Sequence, residues 1–256
     1  MPIPVLGEER GTARAGMVRV PGGPFLFGPR REVRSVGEFW IDRDPVTNGE
    51  FARFARDSGT SLPEHFRQGG FLDRKREHPV VGVTLGQALA FARHAGKDLP
   101  TEEEWEKAAR GTTGRAYPWG ENYEPARCNA SDSLRRDTIA VGSLPRGASP
   151  YGCHDLAGNV WEWTRTFAGR DLCVVKGGSW YDPPIAVRAD RRSSARPAFA
   201  SASLGFRCVL RSEPLPPLPL EAPSARTRLP RTKGDEEEWT HLLSDLREKA
   251  LHALPG

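Results

Sequence analysis

The chain has 256 residues, of which 38 % are hydrophobic and 27 % charged. That is enough apolar material for one sizeable core, with or without an appendage, and too much for wholesale disorder. The 37 Lys and Arg against 33 Asp and Glu leave a formal charge of +4, and no basic helix or aromatic RNA-binding motif accompanies it, so a nucleic-acid partner is not expected.

No stretch of about 18 apolar residues occurs, so no membrane span is expected. Met1 to Arg19 contain no apolar run of signal-peptide length, which makes the cytoplasm the expected compartment. Cys128, Cys153, Cys173 and Cys208 form no CxxC pair, so free thiols are the default, although a bridge is not excluded by spacing alone. With 27 Gly and 23 Pro, the composition favours a loop-rich α+β domain over a helical bundle.

Residues 1–16 read as an N-terminal arm. In 17–28, MVRVPGGPFLFG, two alternating apolar runs flank Pro21-Gly22-Gly23, which predicts a β-hairpin. Residues 38–46, EFWIDRDPV, read as a strand. Thr47 then caps a helix from Asn48 to Ser58 with Phe51, Phe54 and Ala55 on one face. A second helix is expected from about Thr84 to Ala95, where Leu85, Ala88, Leu89 and Ala92 recur at helical spacing before Gly96. Thr101 with Glu104 three residues on is a capping-box start for a short helix through Arg110. Short strands and long structured loops should follow up to Leu210. Residues 213–232, containing PLPPLPLEAP, read as a Pro-rich extended linker. Residues 233–256 read as a C-terminal amphipathic helix, with Trp239, Leu242, Leu243, Leu246 and Leu251 on one stripe that docks either on its own domain or on a partner.

Seven segments in order carry a resemblance: VRVPGGPFLFG (18–28), FWIDRDPVTNGEFARF (39–54), HPVVGVTLGQALAFARHAGKDLPTEEEWEKAARG (78–111), YPWG (117–120), YGCHDLAGNVWEW (151–163), KGGSW (176–180) and SLGFRC (203–208). Together, over about residues 17–210, the chain resembles the formylglycine-generating (sulfatase-modifying factor) family. The resemblance implies an irregular, loop-rich fold related to C-type lectins, with modest regular structure and a surface groove.

It also implies calcium. Hard cations take six to eight oxygens from carboxylates and carbonyls. Matched residue by residue, the ligands would be the side chains of Asp155 and Glu162 and the carbonyls of Gly158 and Val160. A second site would fall near Asn129, Ala130 and Asp132, in a loop that is short here. The alternative is that Glu162 bonds backbone amides and no metal binds.

Catalytic members of the family hold copper(I) between two cysteines that follow the GGS motif, as soft thiolates favour. Here Asp182 and Val187 occupy those places, so copper-dependent formylglycine formation is not expected. The six histidines show no paired ligand spacing for the iron of a second catalytic branch. The resemblance places Cys208 opposite Ala92 rather than a cysteine, leaving a buried free thiol.

What remains in the groove segment is charge. Arg188, Arg191, Arg192, Arg196 and Arg207 lie within twenty residues of chain, following Ser179, Trp180 and Asp182. Paired guanidinium hydrogen bonds suit an acidic peptide or anion, or else a surface ion-pair network. The leading expectation is a calcium-braced, non-catalytic module that recognises a protein or peptide partner, within a multi-component bacterial assembly, through this Arg-rich groove, with no catalytic residue assigned. The alternatives are a metal-dependent oxidoreductase with an altered metal site, and a regulatory subunit that pairs with a catalytic homologue or oligomerises through the C-terminal helix.

Overall fold

The computed structural model describes residues 14–216 and 218. The N-terminal arm before residue 14, most of the linker and the C-terminal helix therefore lie outside the described residues.

Among the described residues nine short strands and four α-helices are joined by long loops and brief 3-10 turns. The strands are β1 (Met17–Val20), β2 (Gly23–Phe27), β3 (Glu32–Val36), β4 (Phe39–Asp42), β5 (Trp161–Phe167), β6 (Cys173–Lys176), β7 (Arg192–Ala195), β8 (Leu204–Phe206) and β9 (Val209–Arg211). The helices are α1 (Asn48–Ser58), α2 (Phe71–Lys75), α3 (Leu85–His94) and α4 (Glu102–Arg110).

The start of each longer helix follows from its cap. Thr47, Thr84 and Thr101 accept from the backbone N–H of Glu50, Gln87 and Glu104, and those side chains reach back to the cap N–H. Each reciprocal pair satisfies two donors the helix cannot pair itself and contributes about 1 kcal/mol. The predicted helices 48–58 and 84–95 agree with α1 and α3 to within a residue.

The predicted hairpin 17–28 does not form. β1 pairs antiparallel with β4, Val18 opposite Ile41, while β2 pairs antiparallel with β3, Phe25 opposite Arg34. Pro21-Gly22 carries the chain from one sheet to the next, and the tight turn comes later, at Gly28 to Arg31, where Arg31 N–H donates to the Gly28 carbonyl at 3.2 Å. Local turn chemistry is a weaker constraint than burial: β1 and β4 both place their alternate side chains, Val18, Val20, Phe39 and Ile41, in the core.

Three sheets result, with strand orders β1-β4-β9, β2-β3 and β7-β6-β5-β8. Among the described strands only β5 and β8 pair in parallel. The core between them is aromatic. Trp105, Trp161 and Trp163 are buried, as is Phe206, which meets Phe51 and Phe91 edge to face. Each buried indole needs a partner for its N–H, and Trp163 donates to the Val83 carbonyl at 3.0 Å. Burying one such side chain stabilises the fold by roughly 1.5–3 kcal/mol. Among the described residues no helix is long and apolar enough to cross a membrane.

Candidate functional site

The segment after β6 begins with two glycines in left-handed conformations, Gly177 at φ 101° and Gly178 at φ 68°. A Cβ on Gly178 would lie 2.7 Å from Val187 Cγ1 and 3.0 Å from its Cα, so only glycine lets the two strands of this loop touch. Ser179 then turns the chain. Its backbone N–H and hydroxyl both donate to Asp182 Oδ2, and Trp161 Nε1 donates to the same oxygen at 2.8 Å.

Asp182 is thus an internal cap, 1 % exposed, and not a groove residue. Ser179 is buried with it. Val187, fully buried, packs with Ala116, Tyr117, Cys128, Ala130 and Ala157. The two positions where the family resemblance expects thiolates hold a carboxylate whose Oδ2 takes indole, amide and hydroxyl donors, and a pair of methyl groups.

No thiol elsewhere compensates. All four cysteines are buried and free, and burial raises Cys128 and Cys153 to about 11, Cys173 to about 12 and Cys208 well above its ordinary value. A protonated thiol is a poor copper ligand. Among the described residues no three His, Cys, Asp or Glu side chains gather to hold a metal ion.

The arginines divide. Arg207 corrects the expectation most sharply: it lies in the core, with no exposed surface. Its Nε and Nη2 clasp Glu162 at 2.7 and 2.8 Å, and its remaining N–H groups bond the carbonyls of Asp42, Arg43 and His154. Burial works against its charge, but Glu162 overcomes this and holds the guanidinium protonated. Trp105 Nε1 adds a third donor to Glu162 at 2.7 Å. A long-range pair of this kind leaves no local pattern in sequence, which is why Arg207 reads there as one more arginine of a charged run.

Arg188 is half-buried and grips Asp190 at 3.0 and 2.7 Å. Burial opposes the Asp190 charge, yet these bonds hold its carboxyl below the usual range. Arg192 reaches Glu102 at 2.9 Å. Arg191 and Arg196 are exposed, as is Tyr181, which meets half-buried Trp180 edge to face at 5.8 Å. The outer face of the segment therefore presents aromatic rings and guanidinium groups over a closed floor.

The neighbouring loops hold the residues expected to bind calcium. Asp155 (φ 56°), Gly158 (φ 79°) and Asn159 (φ 65°) are all left-handed. Asp155 Oδ2 accepts from the Gly142 N–H at 2.8 Å, and burial lifts this carboxyl to about 6, helped by nearby Asp44. A buried carboxylate held by the Gly142 amide is a candidate ligand for a hard cation, whereas the Gly158 carbonyl already accepts from the Val160 N–H at 2.9 Å. Glu162 fits less well, because Arg207 already neutralises it.

In the second set Asn129 is fixed internally, its Oδ1 accepting from Ser133 and its Nδ2 donating to the Asp137 carbonyl. The Ala130 carbonyl accepts from the Ser133 N–H, and Asp132 turns outward to accept from Tyr123 OH at 2.7 Å. Asp132 therefore does not converge with Asn129. Sequence reading missed the exposed tip that follows, Leu134-Arg135-Arg136. Its only signal was a polar run too short to mark a motif.

Comparison with known proteins agrees with this architecture. The family model described as a sulfatase-modifying factor enzyme 1-like domain matches residues 4–212. The chain is 35 % identical over 262 residues to the mouse inactive C-alpha-formylglycine-generating enzyme 2, covering 75 % of this chain and 85 % of that protein. It is 31 % identical to the formylglycine-generating enzyme of Streptomyces coelicolor, over 81 % of this chain and 95 % of that one. Elsewhere the matched region is part of something longer, as in an uncharacterized Bacillus subtilis protein, 30 % identical over 82 % of this chain, of which the match covers 57 %. Among solved structures, PvdO from Pseudomonas aeruginosa superposes with a TM-score of 0.63 at 24 % identity, over 75 % of this chain and 93 % of that one. The chain belongs to the family of sulfatase-modifying factor enzyme 1-like domains.

Proposed function

We propose that this domain is a non-catalytic recognition module, a family scaffold whose catalytic position has been converted into a packed turn. The observation that carries the reading is the state of positions 182 and 187. Asp182 spends its Oδ2 on three donors inside the loop, and Val187 is fully buried against Cys128 and its neighbours. Soft monovalent copper needs sulfur donors, and neither residue offers one. The similarity to an inactive relative supports the same reading.

What the segment offers is a display surface for a protein or peptide partner: Trp180, Tyr181 and the arginines 188, 191, 192 and 196, carried on loops over a rigid core. Calcium bound through Asp155 and the Gly158 and Val160 carbonyls would brace the loop beneath it. The direct test supplies the full chain with copper, oxygen, a thiol reductant and a cysteine-containing sulfatase-type peptide, then captures any aldehyde with a hydrazide. No aldehyde is expected. Catalytic turnover would overturn the proposal.

A further inference from the structure

The loop from Ser131 to Asp137 has a conformation that its own packing does not explain. Leu134 sits at φ 57° and Arg136 at φ 55°, left-handed positions that side chains other than Gly, Asn and Asp seldom take. The strain is not offset by burial, because Leu134 is 76 % exposed and Arg135 and Arg136, which follow it, are exposed as well. A large apolar side chain held out in water on a strained backbone is a feature of surfaces that bind.

The loop is anchored to the segment described above. Ser131 N–H donates to the Asp182 carbonyl at 3.0 Å, and Asp132 is held by Tyr123, whose ring lies 5.5 Å from Tyr117. Tyr117 OH in turn donates to the Pro184 carbonyl at 3.2 Å. The base of the loop is therefore tied to the segment that carries Tyr181 and Pro184.

Charge identifies the partner. The acids of this face are taken: Asp137 by Lys75, Glu121 by Arg31, Asp190 by Arg188. Among the described residues Arg135 and Arg136 make no hydrogen bond or ion pair to a carboxylate, and Arg191 acts on Asp190 only through space, without a hydrogen bond. We propose that Leu134, Arg135 and Arg136, together with Tyr181 and Arg191, dock an acidic peptide segment that carries an apolar side chain between its carboxylates. The apolar residue packs on Leu134, and the carboxylates meet the guanidinium groups, which favour paired hydrogen bonds. This rests on the non-catalytic reading and names the class of partner for it.

The probe is a fluorescein-labelled heptapeptide of Asp and Glu with one central Leu, followed by fluorescence anisotropy on the full chain. Binding is expected to weaken with added salt, and the charge reversal Arg135→Glu/Arg136→Glu is expected to weaken it about tenfold or more. Leu134→Gly provides an internal control against misfolding. Glycine relieves the left-handed strain, so this variant should melt at a higher temperature while binding no better than wild type binds a peptide with Ser at the centre. Peptide affinity unchanged by the charge reversal would overturn the assignment. So would equal binding of the Lys-for-acid peptide, or equal binding of a single-stranded oligonucleotide that ignores Leu134. None of these results produces an aldehyde, so the failure of this inference and the failure of the non-catalytic reading are separate observations.

Discussion

Replacing Arg207 by Met tests which of two places this residue holds. In the core it makes two bonds to Glu162, at 2.7 and 2.8 Å, and supplies N–H donors to the carbonyls of Asp42, Arg43 and His154. Methionine fills much of the volume but returns none of these. The carboxylate of Glu162, itself without exposed surface, would keep only Trp105 Nε1. Removing one partner of a buried ion pair costs about 3–5 kcal/mol, because the remaining charge is left uncompensated. For a domain of this size that corresponds to a melting temperature lowered by roughly 6–20 °C.

Urea denaturation of the wild type and Arg207→Met reads the cost directly, with unchanged m values as the check on two-state behaviour. The double variant Glu162→Leu/Arg207→Met should lose less than the sum of the single losses, since it leaves no orphaned charge. A loss under about 1 kcal/mol for Arg207→Met, accompanied by weaker peptide binding, would return Arg207 to the surface and refute the reasoning.

Three further outcomes follow from the same geometry. Asp155 has an ordinary pKa of 3.8 and about 6 in the fold, so the folded state holds its proton more tightly than the unfolded chain; its stabilising contribution is complete below about 4 and lost as the pH rises through 6, by no more than about 3 kcal/mol. In calcium-free buffer Asp155→Asn should remove that slope, and saturating calcium should remove it in the wild type; a slope indifferent to calcium would sink the calcium brace. The four thiols should resist a disulfide reagent such as DTNB in native buffer and react together on unfolding, whereas rapid reaction of one would show a thiol available for chemistry. Gly158→Ala should abolish folding or nearly so, because its Cβ would stand 2.3 Å from the Asn129 carbonyl oxygen at a φ of 79°, and normal thermal stability of this variant would show that the loop is looser than its contacts imply.

The parts of the fold that were legible in sequence are the ones written locally. Thr47 as a cap and Thr101 with Glu104 as a capping box announce two helix starts, because a cap is a property of a few adjacent residues. The hairpin expected at Pro21-Gly22-Gly23 failed for the complementary reason: β1 chose β4 and β4 chose β9, pairings decided by which faces could be buried together. The site divides in the same way. The absence of thiols from residues 179–188 was visible from residue identities alone. That Asp182 is a cap and Arg207 a core residue was not, since Trp161 and Glu162, their partners, lie 21 and 45 residues away. Leu134 was overlooked because exposure in a left-handed conformation has no residue code other than glycine or asparagine, and leucine is neither.

On the proposed non-catalytic reading, the side chains at positions 182 and 187 also give the loop its shape through contacts of its own. A dithiolate site draws its order from the ion it binds, so an empty one leaves two polar groups to be solvated. Asp182 replaces that dependence with hydrogen bonds from Trp161 Nε1 and from Ser179, and Val187 replaces it with packing against Gly178. Putting cysteines back at both positions should therefore weaken the protein in the absence of metal. The Trp161 indole and the Ser179 amide would lose their acceptor, at about 1–3 kcal/mol for each buried donor left unpaired. Adding copper(I) to the Asp182→Cys/Val187→Cys variant under reducing conditions should recover part of that loss, read as a rise in melting temperature. The wild type should show no such rise. If instead copper(I) stabilises the wild type and leaves the double-cysteine variant unmoved, the metal is being held by thiols elsewhere in the chain, and the conversion of a metal site into a self-satisfied turn is the wrong account of this loop.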